Sequence, residues 1–410
     1  MDRRPPMAAV RPAVLVAGLY GVAALLVIWA RWPWLPGRWL AVHLFTLGVL
    51  SNLVLVLTEH FAGTVQHAAA GDHRTSRLVI HNAGTLAVVA GLSAGAPLAV
   101  AVGATLVTAG VTWLYADLRG LRRASLGGRF AFVVRGYERA CGAFIHGAVL
   151  GLLVGAGIVT GRWAGAVRLA HMHVNVLGWG GLTLLATVVF FGPTMLRRRI
   201  APGAEQTART ALRWASTGLS VATIALILTG VGPPYEMPVR QIAAAGLLVY
   251  ATAATGIWRS IVPGARPAPG SVEHWLLPAT GAWFVAGVWT DVVLVATGTW
   301  RYLDALGVAL LLGVLLQAVV GALVYLGPML RGATAAQRAD LRTRLQRLPR
   351  TKAVLLNAGI VLVLLAALHI DGGVVTPAGA GWTLVAVAVV ASLAPLLWRS
   401  RARSTGTAHG

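Results

Sequence analysis

Several things are nearly missing from this sequence. Its 410 residues include one cysteine, Cys141, so neither a disulfide framework nor a cysteine-ligated zinc site can be built. Charge is sparse, 11% of residues, against 57% hydrophobic residues and a mean hydropathy of +0.74. Those values exclude an ordinary soluble domain and point to a helical membrane protein with many spans. Acids are scarcest: 12 Asp and Glu stand against 34 Lys and Arg, a formal net charge of +22. In a soluble protein that excess would suggest nucleic acid. In a membrane protein the first question is where the positive residues lie. Lysine is almost absent too, since Lys352 is the only one; the Arg, Ala and Gly bias suggests a GC-rich bacterial genome.

What is present is a series of apolar runs near the ~20 residues needed to cross a bilayer. They fall at about 12–30, 39–59, 78–95, 98–116, 138–159, 166–192, 211–231, 240–258, 275–298, 303–327, 353–369 and 377–397, which makes twelve spans. The basic N-terminus leads into the first run without a convincing cleavage site, so that run reads as a retained first helix. Of the 34 basic residues, 28 lie in the termini and in every second connection, and 6 in the others. This alternation predicts twelve helices with both termini cytoplasmic, in a bacterial cytoplasmic membrane. The positive charge is then topology, with the lipid bilayer as its partner and no nucleic acid expected. The longest loops, around 117–137 and 331–352, are arginine-rich and too short for a folded domain. Residues 1–410 therefore read as one polytopic all-α membrane domain.

Internal repetition organises the runs. Span two contains Arg38-WLAV-His43-LFTL-Gly48, and span six contains Arg168-LAHM-His173-VNVL-Gly178. Phe61 and Phe191 align further along. Span ten continues the frame through Gly313, Gly327, Pro328 and, after a one-residue gap, Arg331, with Val308 at the position aligned with His173. A weaker echo joins His81-Asn82-Ala83-Gly84 to Leu356-Asn357-Ala358-Gly359. The pattern predicts three four-helix units, about 12–118, 137–260 and 274–398, around a pseudo-threefold axis along the membrane normal. Gly and small residues also recur in membrane helices simply because backbones pack closely there.

An ionisable group inside a membrane is a functional-site hypothesis by default. His43 and His173 each lie five residues beyond an arginine on the outer side, roughly 7–8 Å further in. His171 and His173 differ by about 200° around the helix, so they face different partners. His146 falls near the middle of span five among small residues, and His81 enters from the cytoplasmic side. Such a set could hold haem iron or copper, with His43, His173, His171, His146 and His81 as candidate metal ligands. His43 and His173 form the pair for a shared cofactor by their matching frames, and His171 points elsewhere, toward His146 or a neighbouring helix. Met172 is a possible soft ligand or plain packing. Each membrane histidine has the alternative of hydrogen bonding between helices.

Arg38 and Arg168, against the positive-inside bias, suit the two propionates of a haem or else anchor their helices at the headgroups. Asp291 is the only acid well inside an apolar span; it implies a partner, a proton route or a cofactor contact. Glu59, at a helix end, is less informative, and Gln317 and Asn52 are expected to bridge helices. His60, His67, His73, His274, His369 and His409 are expected to be solvated.

The segments HLFTLGVLSNLVLVLTEHFAG, AHMHVNVLGWGGLTLLATVVFFGPTMLR and LLQAVVGALVYLGPML resemble the membrane region of actinobacterial proteins labelled copper oxidases. Many of those carry cupredoxin domains after the membrane part, and no soluble cupredoxin domain is expected in this chain. More distantly, twelve spans in three four-helix arcs and the helical His-x-His resemble subunit I of haem–copper oxidases, where the two histidines serve two haems. The NnrS family of haem- and copper-containing membrane proteins is a comparable relative. Span seven has no histidine, span ten no His-x-His, and nothing resembles the oxidase tyrosine crosslink, so a full oxygen-reducing ligand set is missing.

The resemblance implies a metalloprotein binding b-type haem or copper, in electron transfer or a copper- or nitric-oxide-related redox role. A cupredoxin protein is the redox partner that this implies. The alternatives are a proton- or metal-coupled transporter, and a membrane scaffold for a separate copper protein. On the metal reading the purified protein shows a Soret band or bound copper, and His173→Ala diminishes it.

Overall fold

The computed structural model describes residues 10–30, 37–67, 73–124, 129–261, 270–332, 334–368 and 376–397. His369 and His409 lie outside them. Among the described residues there is no strand. The long helices are α1 (Arg11–Ala30), α2 (Gly37–Gln66), α3 (Arg74–Ser93), α4 (Pro97–Ala124), α5 (Ala131–Gly155) and α6 (Gly161–Met195). They continue as α7 (Ala204–Leu228), α8 (Glu236–Ile261), α9 (Val272–Thr297), α10 (Trp300–Arg331), α11 (Pro349–Leu368) and α12 (Thr376–Leu393).

Eleven of these are long and apolar enough to cross a membrane. The one that falls short is α3, whose first half carries Arg74, Arg77, His81 and Asn82. The two long loops are more helical than their sequences suggest. α4 runs on to Ala124, and a short helix, Ala335–Leu345, fills the later loop. Its start is a capping box in which the Gln337 amide N–H donates to Thr334 Oγ1 (3.2 Å) and the Thr334 N–H to Gln337 Oε1 (3.3 Å). The Thr-x-x-Gln spacing was the available signal.

α2, α6 and α10 are the longest helices, at 30, 35 and 32 residues, and the most buried of the eleven. At 1.5 Å per residue each exceeds the ~30 Å hydrocarbon core, so each tilts or extends beyond it. They meet one another directly. Trp179 Nε1 of α6 donates to Ser51 Oγ of α2 at 2.9 Å, and Leu315 of α10 packs against Gly180 of α6. Phe191 has its ring centroid 5.0 Å from Phe61 and 5.3 Å from Tyr325. Each of the three also opens into π-helix, over Leu44–Leu50, Val174–Leu182 and Ala309–Leu316. These segments begin at the residue after His43, His173 and Val308 respectively.

A π turn displaces backbone carbonyls from their helical partners, and in an apolar interior each needs another donor. Side chains supply several. Ser51 Oγ donates to Thr46 O (2.8 Å), His81 Nε2 to Leu47 O (3.0 Å), Tyr250 Oη to Leu177 O (2.8 Å) and Gln317 Nε2 to Gly313 O (3.0 Å). Gln317 and Asn52 also bridge helices as their sequence positions suggest. Asn357 Nδ2 donates to Gln317 Oε1 at 2.7 Å, and Asn82 Nδ2 to Asn52 Oδ1, also at 2.7 Å.

Outer helices cross at paired glycines. A Cβ on Gly84 of α3 would lie 2.8 Å from Gly103 O of α4; one on Gly246 of α8 would lie 2.6 Å from Gly218 O of α7. One on Gly359 of α11 would lie 2.8 Å from Gly381 O of α12. Only a missing side chain allows backbones so close.

Near the arginine-rich end of the bundle, Arg77 is fully buried. Its guanidinium donates to Asp117 Oδ2 (2.6 Å), to Leu55 O (3.0 Å) and to Glu59, which also accepts from Arg74 Nε at 3.0 Å. Glu59 therefore ties α2 to α3, and Arg77 ties both to α4.

Replacing Gly84 by Ala forces α3 from the α4 backbone and is expected to cost about 1–3 kcal/mol. Gly120→Ala, where a Cβ meets nothing within 4 Å, leaves stability unchanged or slightly raised. Thermal unfolding of the two variants in one detergent separates these outcomes.

Candidate functional site

α6 carries two histidines two residues apart, and their rings go to different partners. His171 lies against α5, where Gly147 and Gly151 make room for it. Its Nδ1 is 2.7 Å from Gly147 O, and a Cβ on Gly151 would sit 2.7 Å from the His171 ring. The Asn175 amide fills the space over Gly147 and donates to His171 O at 2.8 Å. The small residues around His146 thus serve a histidine on the neighbouring helix. His171 Nδ1 also lies 3.2 Å from Asn175 Nδ2, but the carbonyl at 2.7 Å is the closer partner and can only accept, so Nδ1 carries the proton and leaves Nε2 the lone pair.

His43 on α2 has the same arrangement. Its Nδ1 donates to Trp39 O at 2.9 Å, and the Trp39 ring stacks on it with centroids 4.2 Å apart. The planes of His43 and His171 are within 12° of parallel, their centroids 6.3 Å apart. Neither Nε2 has a hydrogen bond to any described residue. The histidine facing His43 is therefore His171, and the pairing of His43 with His173 expected from their matching frames is not the one formed. Matching frames place residues at one depth, but the rotation of each helix decides which neighbour a ring meets.

His173 turns to the opposite flank. Its Nδ1 donates to Leu169 O at 2.8 Å, and its Nε2 lies 2.9 Å from Asp291 Oδ1 of α9. Both side chains are buried, 5% and 1% exposed. With Nδ1 committed as donor, one proton remains for the Nε2–Oδ1 bond. The pair is then imidazolium with carboxylate, or imidazole with carboxylic acid, and neutral overall in both forms. Asp291 Oδ2 has no hydrogen-bond partner.

His43, His171, His173 and Asp291 all line one cavity of about 1730 Å³, bounded mainly by α1, α2, α5, α6, α10 and α12, with Asp291 reaching it from α9. It runs from Arg38, Arg168 and Asp304 at one end to Arg11 and Arg331 at the other. Arg38 is exposed and forms an ion pair with Asp304, while Arg168, also exposed, lines the same end. Met172 is 40% exposed and lines the cavity without replacing either ring.

The other candidates stand apart. His81 spends Nε2 on Leu47 O and does not line the cavity. His146 is exposed on the outer face of α5, with Nδ1 bonded to Gly142 O at 2.8 Å. His274, expected to be solvated, is buried with Nδ1 at 2.9 Å from Ser271 Oγ. Sequence reasoning missed Gly147 and Gly151, Trp39 and the buried Arg77–Glu59 pair. The Gly-x-x-x-Gly spacing was a readable signal for the first; Arg77 resembles any cytoplasmic flanking arginine. Among the described residues no group of three or more His, Cys, Asp or Glu converges in a way that could hold a metal ion.

No family model matches this chain, and no curated protein matches it either.

Asp291→Ala strands His173 in an apolar site and is expected to cost about 3–5 kcal/mol. Asp304→Ala breaks an exposed pair and costs at most about 1 kcal/mol. Chemical or thermal unfolding of both variants beside the parent protein measures the difference.

Proposed function

We propose that the chain is a membrane haem protein that carries electrons, and that His43 and His171 would hold the haem. The observation that carries this reading is their parallel pairing, with both Nδ1 protons given to backbone carbonyls and both Nε2 atoms free. Haem supplies its own four nitrogens and needs only one or two side chains, so two free imidazole nitrogens would be enough to hold it.

Bound between the two histidines, haem would supply reversible one-electron chemistry. The Trp39 O and Gly147 O bonds orient the rings and fix the tautomer. The cavity, at about 1730 Å³, is larger than the roughly 300–1,000 Å³ of common ligand sites, which supports a large ligand. Arg168 and Arg38, the latter paired with Asp304, line the same cavity and would be available to propionates.

The chain's place is the bacterial cytoplasmic membrane, with α3 as the twelfth span and both termini cytoplasmic. The alternating arginines support that topology. Three four-helix units are supported by the three π segments in one frame and by the three glycine crossings. The partner is a redox protein, with a cupredoxin as one form. The buried His173–Asp291 pair is the observation that favours a proton-coupled transporter as the second reading.

Protein purified from haem-replete cells shows a Soret band. His43→Ala and His171→Ala each remove most of it, and His173→Ala, if folded, keeps it. A colourless preparation that takes up protons into proteoliposomes in an Asp291-dependent way makes the transporter reading the correct one.

A further inference from the structure

The unpartnered oxygen of Asp291 points to a second ligand. Asp291 is 1% exposed, yet its Oδ2 has no donor and it lines the large cavity. A buried acceptor without a partner costs roughly 1–3 kcal/mol. The single proton of the pair sits between His173 Nε2 and Asp291 Oδ1, so Oδ2 is an acceptor in either form. Its ligand must therefore donate a hydrogen bond.

The surroundings narrow the class. Between Asp304 and Arg331, at its two ends, the α10 wall of the cavity is apolar, with Leu306, Val308, Leu310 and Leu311 among its residues. The α1 wall includes Leu15, Leu19 and Val22, each more than half exposed at the outer surface of the bundle, so the cavity is reached from the bilayer. Asp291 and His173 lie on the flank of α6 away from His43 and His171. A cavity of about 1730 Å³ exceeds the roughly 300–1,000 Å³ of one ligand site, leaving room for a second occupant.

We infer that Asp291 Oδ2 accepts a hydrogen bond from the hydroxyl of a lipid-soluble hydroquinone seated in the part of the cavity between α6, α9 and α10. The inference rests on the electron-carrier reading for the choice of hydroquinone over other lipid alcohols, but its binding test needs no haem.

The protein in nanodiscs is titrated under argon with a decyl-substituted hydroquinone, its dimethyl ether and decanol, following tryptophan fluorescence, since Trp179 lines the cavity. The hydroquinone is expected to bind at least about tenfold more tightly than the ether, the worth of one hydrogen bond to an acidic acceptor. Asp291→Leu is expected to erase that preference. Equal binding of hydroquinone and ether by the parent protein overturns the inference even where Asp291→Leu fails to fold. A preference that survives in folded Asp291→Leu overturns it as well, and decanol binding as tightly as the hydroquinone overturns the choice of ligand. A Soret band measured on the same samples reports on the haem reading separately.

Discussion

A backbone carbonyl released inside an apolar bundle must find a donor, and much of this structure follows from that constraint. The three central helices each open into π-helix just past His43, His173 and Val308, and polar side chains of the same and neighbouring helices gather where the carbonyls are freed. His81, Ser51 and Tyr250 are held in place by this accounting. Buried polar groups that would otherwise look functional turn out to be partners of the backbone.

The same accounting singles out the groups that remain. His43 and His171 each satisfy a carbonyl through Nδ1 and keep Nε2 for something else. Asp291 satisfies His173 through one oxygen and keeps the other. All three atoms belong to residues lining one cavity. That convergence separates them from His81, His146 and His274, each of which also bonds through one ring nitrogen but lines no part of it.

Close backbone approach is the second organising element. The glycine crossings between α3 and α4, α7 and α8, and α11 and α12 draw the outer helices into pairs. Gly147 and Gly151 use the same absence of a side chain differently, to admit a ring and an amide from α6. One residue type thus serves packing in one place and the site in another.

By itself the sequence determined the all-α class, the runs long enough to span a membrane, the bias of arginine and the helix on which each candidate histidine sits. These depend on composition, run length and position along a helix, all of which are local. It marked Asn52 and Gln317 as bridges for the same reason, since a polar group in an apolar run has to reach a neighbour. The tertiary structure alone decided which histidine faces which. His171 and His173 differ by two positions, and the rotation of α6 against α2, α5 and α9 sends one ring to His43 and the other to Asp291. Rotation is set by side chains packing from several helices at once, such as Gly151 under the His171 ring, and no single run of residues contains that information.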